Sequence, residues 1–214
     1  MVSGDTSTTA KREVVEKGVE ILEEGLTQRT SGNVSVRIDD DYVAISPSGV
    51  PYREIAIDDV PVVNMNGEVV DDGREPSSET PMHLAAYRNR DDIDAIVHTH
   101  SPYATTFAAL GRPIDPAHYL IAFAGKSIEA AEYATNGTPE LGENAVAALG
   151  DRNAVLLRNH GVLAVGPTLD DAHNVASRVE YCARIQYQAE QLGEPELVDD
   201  AELDDLIEYF QEYD

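Results

Sequence analysis

The run Asp94-Ala95-Ile96-Val97-His98-Thr99-His100-Ser101-Pro102 sets two imidazoles one residue apart at the end of an apolar stretch. Ile96 and Val97 are β-branched and Pro102 halts the run, which predicts the open end of a buried strand. Side chains alternate faces along a strand, so His98 and His100 point the same way and can grip one divalent cation. Two further residues are of the right type to complete that set. Glu79 stands at the start of a predicted helix, and His160 follows a second apolar run, Ala154 to Arg158, just before Gly161. Three imidazoles and one carboxylate suit Zn²⁺ and accommodate other divalent transition metals, with room for a substrate oxygen. A His-x-His pair taken alone reads equally well as two hydrogen-bonded histidines of a core or surface. Composition favours the ligand reading: the chain has only 6 His, and His98, His100 and His160 all sit at strand ends, where α/β folds gather their sites.

Three small-residue turns add a second chemistry: Gly32-Asn33, Ser48-Gly49 and Ser77-Ser78. Each offers backbone N–H groups and a short polar side chain. Ser77-Ser78 also lies where a helix dipole presents positive potential. Together they form a phosphate site that uses no lysine; singly, each is an ordinary turn or helix cap.

The elements that must position these groups follow from periodicity. Lys11 to Leu26 carries a helical stripe of Val14, Val15, Val19, Ile21 and Leu22, ending near Gly25. Val34 to Ile38 alternates as a strand and turns at Asp39–Asp41 into Tyr42 to Ile45. Pro61 to Met65 and Glu68 to Val70 flank Asn66-Gly67, which predicts a hairpin with a type I′ turn. A helix runs from Pro76-Ser77-Ser78-Glu79 to about Arg88, and the histidine strand follows. Pro102 opens a helix closed by Gly111, and Pro139 to Leu149 forms another. Strands at Ala154–Arg158 and Val162–Val165 flank His160. Leu169 to Gln191 is the longest helix, and Asp200 caps a last one reaching Tyr213. The hairpins of the first half predict a mainly antiparallel sheet with helices on its faces.

At 214 residues the chain is expected to form one domain over 11–214, after a Ser/Thr-rich flexible tail at 1–10. No apolar run is long enough to span a bilayer, and the N-terminus lacks the core of a signal peptide. The single Cys182 excludes an internal disulfide framework and fits a reducing cytoplasm. It lies mid-helix among apolar neighbours, which predicts a buried thiol rather than a nucleophile. Lys126 is the only lysine after Lys17 and reads as a surface residue. The net charge of −25, from 40 acidic and 15 basic residues, opposes partnership with nucleic acid or anionic membranes. Charge of this size needs screening, which salt near 1 M supplies by shortening the Debye length to about 3 Å. A halophilic source with salt-dependent stability is the expectation; an ordinary acidic protein is the alternative.

Five motifs now stand in order: Thr30-Ser31-Gly32-Asn33-Val34-Ser35-Val36-Arg37, Ile45-Ser46-Pro47-Ser48-Gly49, Ser77-Ser78-Glu79, His98-Thr99-His100 and His160-Gly161. From about Lys11 to the C-terminus the chain resembles the class II aldolase/adducin family, and its aldolase branch most. The resemblance implies an α/β/α domain around a mainly antiparallel sheet, and a homotetramer with active sites between subunits. It implies Zn²⁺ held by Glu79, His98, His100 and His160, and a sugar-phosphate head group held by Gly32, Asn33, Ser48, Gly49, Ser77 and Ser78. Tyr119 matches a tyrosine that crosses from a neighbouring subunit to protonate an aldehyde oxygen. Phe210 and Tyr213 match C-terminal aromatics that close over the aldehyde. The implied activity is reversible cleavage of a ketose 1-phosphate, such as L-fuculose 1-phosphate, to dihydroxyacetone phosphate and a small aldehyde through an enediolate. Glu79 would leave the metal to act as the base. One departure stands out: Asn136 occupies the place of an aromatic that packs on the aldehyde's methyl group, which leaves the aldehyde open.

Two alternatives remain at this point. A pentulose-phosphate 4-epimerase of the same family shares the metal and the retro-aldol chemistry, and Pro76-Ser77-Ser78-Glu79-Thr80-Pro81 resembles its local string. It carries Asp in place of Glu79, however, and an acid near a Thr-His-Ala-Asp string that Ala117-His118-Tyr119-Leu120 lacks. A metal-free adducin-like interaction module is opposed by the retention of all the ligand types.

Overall fold

Apolar residues on both sides of the strands dictate a sheet covered by helices on each face. The computed structural model describes residues 4–213. In chain order the elements are α1 (Gly4–Glu23), β1 (Asn33–Arg37), β2 (Tyr42–Ile45), β3 (Val62–Asn64), α2 (Thr80–Asn89), β4 (Ala95–Thr99), α3 (Pro102–Leu110), β5 (Ala130–Ala131), α4 (Pro139–Leu149), β6 (Ala154–Leu157), β7 (Gly161–Gly166), α5 (Leu169–Leu192) and α6 (Asp200–Tyr213). Short 3-10 turns lie at Tyr52–Glu54, Ile57–Asp59 and Tyr119–Phe123.

The seven strands form one sheet in the order β3-β2-β1-β4-β7-β6-β5. Every pairing is antiparallel except β5 with β6. Alternation sorts the core into two layers. Val34, Val36, Val97, Leu156 and Val162 pack against α1, α3, α5 and α6. Ile45, Ile96, Val155, Leu163 and Val165 pack against α2 and α4. The result is the expected three-layer α/β/α arrangement, and it places His98, two residues after Ile96, on the α2 side.

Two expectations are corrected, and one short strand is added. The N-terminal residues are helical from Gly4, and Ala10 is buried. Residues 4–10 of the Ser/Thr run therefore begin α1 rather than forming a tail, extending a helix whose packing starts at the buried Ala10 and Val14; residues 1–3 lie outside the described residues. The Asn66-Gly67 hairpin is not type I′. Only Gly67 has positive φ, at 84°, and Gly67 N–H donates to Asn64 O while Asn64 N–H donates to Glu68 O. This is a type I turn closed by a left-handed glycine, which needs three loop residues rather than two. The two-residue β5 lacks the length that makes a strand visible in a sequence.

Cys182 is buried in α5 and its thiol is pushed up to about 12 by burial, which keeps it unreactive at neutral pH. Lys126 pairs with Asp204 at the surface. Among the described residues no helix is long and apolar enough to cross a membrane. Ion pairs engage only part of the acidic excess, so repulsion persists over the surface. The melting temperature is expected to rise from low salt to molar salt, measured by thermal unfolding across that series. A flat series would remove the halophile reading and leave the site untouched.

Candidate active site

The site is assembled where β1, β4 and the β6–β7 turn meet the start of α2. Register places Asn33 directly across from His98 on neighbouring strands. Glu79 precedes the first turn of α2 with φ −95° and ψ 8°, so the helix starts above the end of the sheet. His160 sits in the tight turn joining paired residues Leu157 and Gly161. Asn159 in that turn is left-handed, with φ 58°, a conformation that asparagine tolerates better than most residues. Gly161 is required by close approach. A Cβ there would lie 2.3 Å from Thr99 O and 2.9 Å from His100 Cδ2, so any side chain would push β7 off the histidine pair.

Glu79, His98, His100 and His160 come together with their ligand atoms all within 4.8 Å of one another. Glu79 Oε2 is 3.1 Å from His98 Nε2, and Glu79 Oε1 is 3.1 Å from His160 Nε2. His98 Nε2 and His100 Nε2 lie 3.0 Å apart. The three rings meet edge to face at centroid distances of 4.9, 4.9 and 5.0 Å. His98 Nδ1 is 2.7 Å from Val162 O and donates to it, so a neutral His98 aims the lone pair of Nε2 at the carboxylate.

Electrostatics show what this packing needs. Burial alone would push the Glu79 carboxyl up, but His98 and His160 hold it far below the usual carboxylate range. Burial likewise opposes a charged His98, yet the Glu79 carboxylate raises it. His100 falls to about 4 because burial, His98 and His160 all disfavour its cation. Glu79 Oε1 is buried without a hydrogen bond of adequate geometry. A carboxylate and three imidazole nitrogens thus converge with too few protons to separate their lone pairs. A divalent cation satisfies all of them at once, and the donor set is one that Zn²⁺ accepts.

In a second cluster, Glu20, Glu24 and His173, Glu20 is already paired with a lysine and Glu24 Oε2 lies 2.9 Å from His173 Nε2. Lys17 Nζ lies 2.5 Å from Glu20 and 2.7 Å from Asp170.

The three predicted anion turns are laced together beside the cluster of Glu79 and the three histidines. Ser46 N–H donates to Val34 O, Ser77 N–H to Ser46 O and Ser48 N–H to Glu75 O. Ser46 Oγ accepts from Val34 N–H. Gly32 has φ 72°, and a Cβ there would lie 2.6 Å from His98 O, so this glycine is needed on both counts. Gly49 has φ 68° with open space where a Cβ would stand. Ser48 and Ser78 are exposed, while Ser77 is buried with Oγ accepting from Glu79 N–H. Asn33 differs from expectation. Its amide is occupied at both ends, by Glu79 Oε2 at 2.7 Å and His83 Nε2 at 2.5 Å, so its side chain serves the carboxylate rather than pointing outward. Gly137 lies against Ser78 O, which brings the exposed Asn136 to the rim beside the turns.

Tyr119 and Phe210 lie elsewhere in the same chain. Tyr119 is 48% exposed, with its ring 6.4 Å from Phe210, and Phe210 stacks on Phe123 at 4.0 Å. Both belong to the layer of α5 and α6, across the sheet from Glu79 and α2. Tyr213 ends α6, and its side chain lies outside the described residues.

Three buried polar residues escaped sequence reasoning: Ser35, His83 and Tyr87. Their signal was spacing. Glu79, His83 and Tyr87 are four apart on one helix face, and Asn33 and Ser35 are two apart on one strand face.

Comparison with known proteins gives a consistent picture. Residues 12–187 match the family model described as Class II Aldolase and Adducin N-terminal domain. A 5-deoxy-D-ribulose 1-phosphate aldolase of Bacillus thuringiensis serovar kurstaki is 45% identical, over 95% of this chain and 96% of that protein. An L-fuculose phosphate aldolase of Escherichia coli O6:H1 is 38% identical, over 94% of each chain. A solved structure titled L-fuculose 1-phosphate aldolase superposes with TM-score 0.93 at 46% identity, covering 99% of this chain and 98% of that one.

Proposed function

Because the chain belongs to the class II aldolase and adducin family, we propose that it is a metal-dependent aldolase that reversibly cleaves a ketose 1-phosphate to dihydroxyacetone phosphate and a small aldehyde. The observation that carries this reading is the Glu79 carboxylate set among three converging imidazoles with Oε1 left unsatisfied. Zn²⁺ held by Glu79, His98, His100 and His160 would supply Lewis-acid polarisation of the substrate carbonyl.

The remaining steps belong to the chain's own side chains. The laced turns of Gly32, Ser48, Gly49, Ser77 and Ser78 hold the phosphate through N–H and hydroxyl donors. In the condensation direction Glu79 takes a proton from the hydroxymethyl carbon of dihydroxyacetone phosphate, next to the ketone. That carbon then bonds to the aldehyde carbon, and the aldehyde oxygen receives a proton from Tyr119. Tyr119 and Phe210 sit side by side on the layer opposite this chain's own cluster. On the tetrameric reading they serve the site of a neighbouring subunit, with Tyr213 at the end of the same helix as Phe210. Presence of Glu79 rather than Asp, and absence of an acid beside Tyr119, keep the 4-epimerase reading second.

The relatives' names differ in the aldehyde portion of the substrate. Cleavage of a 5-deoxypentulose 1-phosphate leaves acetaldehyde, and cleavage of fuculose 1-phosphate leaves lactaldehyde. Asn136 at the rim offers no apolar surface for lactaldehyde's methyl group. Zinc-loaded protein is therefore expected to release dihydroxyacetone phosphate faster from 5-deoxyribulose 1-phosphate than from L-fuculose 1-phosphate, measured as kcat/KM. Release from neither substrate, nor from other ketose 1-phosphates, would overturn the assignment.

A further inference from the structure

Behind the candidate ligands lies a buried line of side chains that the proposed chemistry does not use. It starts at Glu79 Oε2, which accepts from Asn33 Nδ2 at 2.7 Å. Asn33 Oδ1 faces His83 Nε2 at 2.5 Å. His83 Nδ1 faces Ser35 Oγ at 2.7 Å, and Ser35 Oγ faces the Tyr87 hydroxyl at 2.7 Å. Asn33, Ser35, His83 and Tyr87 are all buried, with His83 at 0% exposure.

Donor and acceptor chemistry gives this line one direction. An ionised carboxylate only accepts, so Asn33 must turn its NH₂ toward Glu79 and its oxygen toward His83. That oxygen needs a donor, so His83 carries its proton on Nε2. His83 is fully buried and its hydrogen-bond partners, Asn33 and Ser35, are uncharged, which disfavours its cation, so its ring is neutral and Nδ1 is an acceptor. Ser35 then donates to Nδ1, and its oxygen takes the Tyr87 hydroxyl proton. No alternative arrangement satisfies every member while the ring is neutral. The far end is fixed by unrelated contacts: Arg37 donates to Tyr87 O at 2.8 Å and lies 4.9 Å from that ring's centroid.

We infer that Tyr87, Ser35 and His83 act as positioning residues: through Asn33 they fix the Glu79 carboxylate in the orientation that both cation binding and proton abstraction require. This rests on the aldolase reading for the second role only; the first concerns the ligand set alone. Partners behind metal ligands of this kind typically contribute 10–100-fold in metal affinity or activity. A helix end would otherwise leave a carboxylate free to rotate about its side-chain torsions. The Asn33 amide removes that freedom only while its own orientation is held by His83.

The test compares His83→Leu with His83→Gln. Glutamine can present its amide N–H where Nε2 stood and so keep the donor to Asn33; leucine cannot. Zinc affinity measured by chelator competition should weaken about 10–100-fold in His83→Leu and stay within about three-fold of the native value in His83→Gln. In steady-state cleavage the leucine variant should lose kcat with KM little changed, and glutamine should restore it. Equal zinc affinity in native and leucine proteins overturns the inference. Failure of the native protein to cleave ketose phosphates, with these affinity differences intact, instead removes the aldolase reading. Should the leucine variant not fold, ¹⁵N NMR of the native histidines decides. His83 protonated on Nε2 alone between pH 6 and 8 supports the line, and protonation on Nδ1 alone overturns it.

Discussion

Glu79→Gln is expected to lower ketose-phosphate cleavage about 10³-fold, within the range that a positioned general base contributes. That loss corresponds to about 4 kcal/mol of transition-state stabilisation. The substitution is nearly isosteric, and its amide oxygen can still accept from Asn33 Nδ2, the donor that holds Glu79 Oε2. What the amide cannot do is accept a proton from carbon. The phosphate turns are unaffected, because Ser77 Oγ bonds the backbone N–H of residue 79 rather than its side chain. KM for the ketose phosphate should therefore change far less than kcat. A Glu79→Gln protein that folds, holds zinc and retains more than about a tenth of native turnover would remove Glu79 as the base.

His100→Ala should cost the metal. His100 lies just beyond the last residue of β4 and is only partly buried, so its removal leaves the strand pairings intact. It nevertheless supplies one of the converging nitrogens, with Nε2 3.0 Å from that of His98. Zinc content is expected to fall from about one per chain to a small residue, with activity falling in parallel while circular dichroism stays native. Chelation of the native protein should give the same inactive, folded state, reversible on adding zinc. Normal zinc content and turnover in His100→Ala would place the cation elsewhere.

The site's ligands were legible in the sequence because their chemistry depends on short-range geometry. His98 and His100 share a strand face by alternation, and the β-branched residues before them mark the strand. Glu79 and His160 were legible as residue types at element ends, but nothing local states that these ends meet; the sheet order that brings β7 beside β4 does so. Asn33 illustrates the converse. Its place in a Gly-Asn turn suggests a phosphate donor, yet it is the first residue of β1, opposite His98, and burial turns its amide to Glu79. His83 and Tyr87 read as polar interruptions of an apolar helix face, since their partners Asn33 and Ser35 lie about fifty positions away. The helix at 4–10 is not legible in the sequence because it extends a helix whose packing begins only at Ala10. Tyr119 and Phe210 are brought together by packing of α6 on the 3-10 turn at Tyr119–Phe123, a contact that periodicity does not encode.

Proton exchange in D₂O isolates the first chemical step from everything that follows it. Zinc-loaded native protein incubated with dihydroxyacetone phosphate alone needs no aldehyde to remove a proton from the hydroxymethyl carbon. Glu79 would face one side of the bound substrate, so one of that carbon's two hydrogens should be replaced by deuterium and the other retained, as read by ¹H NMR of the recovered substrate. Tyr119→Phe should exchange normally yet condense slowly, because its proton is needed only once the aldehyde oxygen gains charge. Unlabelled dihydroxyacetone phosphate after prolonged incubation with the zinc-loaded native protein would contradict the aldolase assignment.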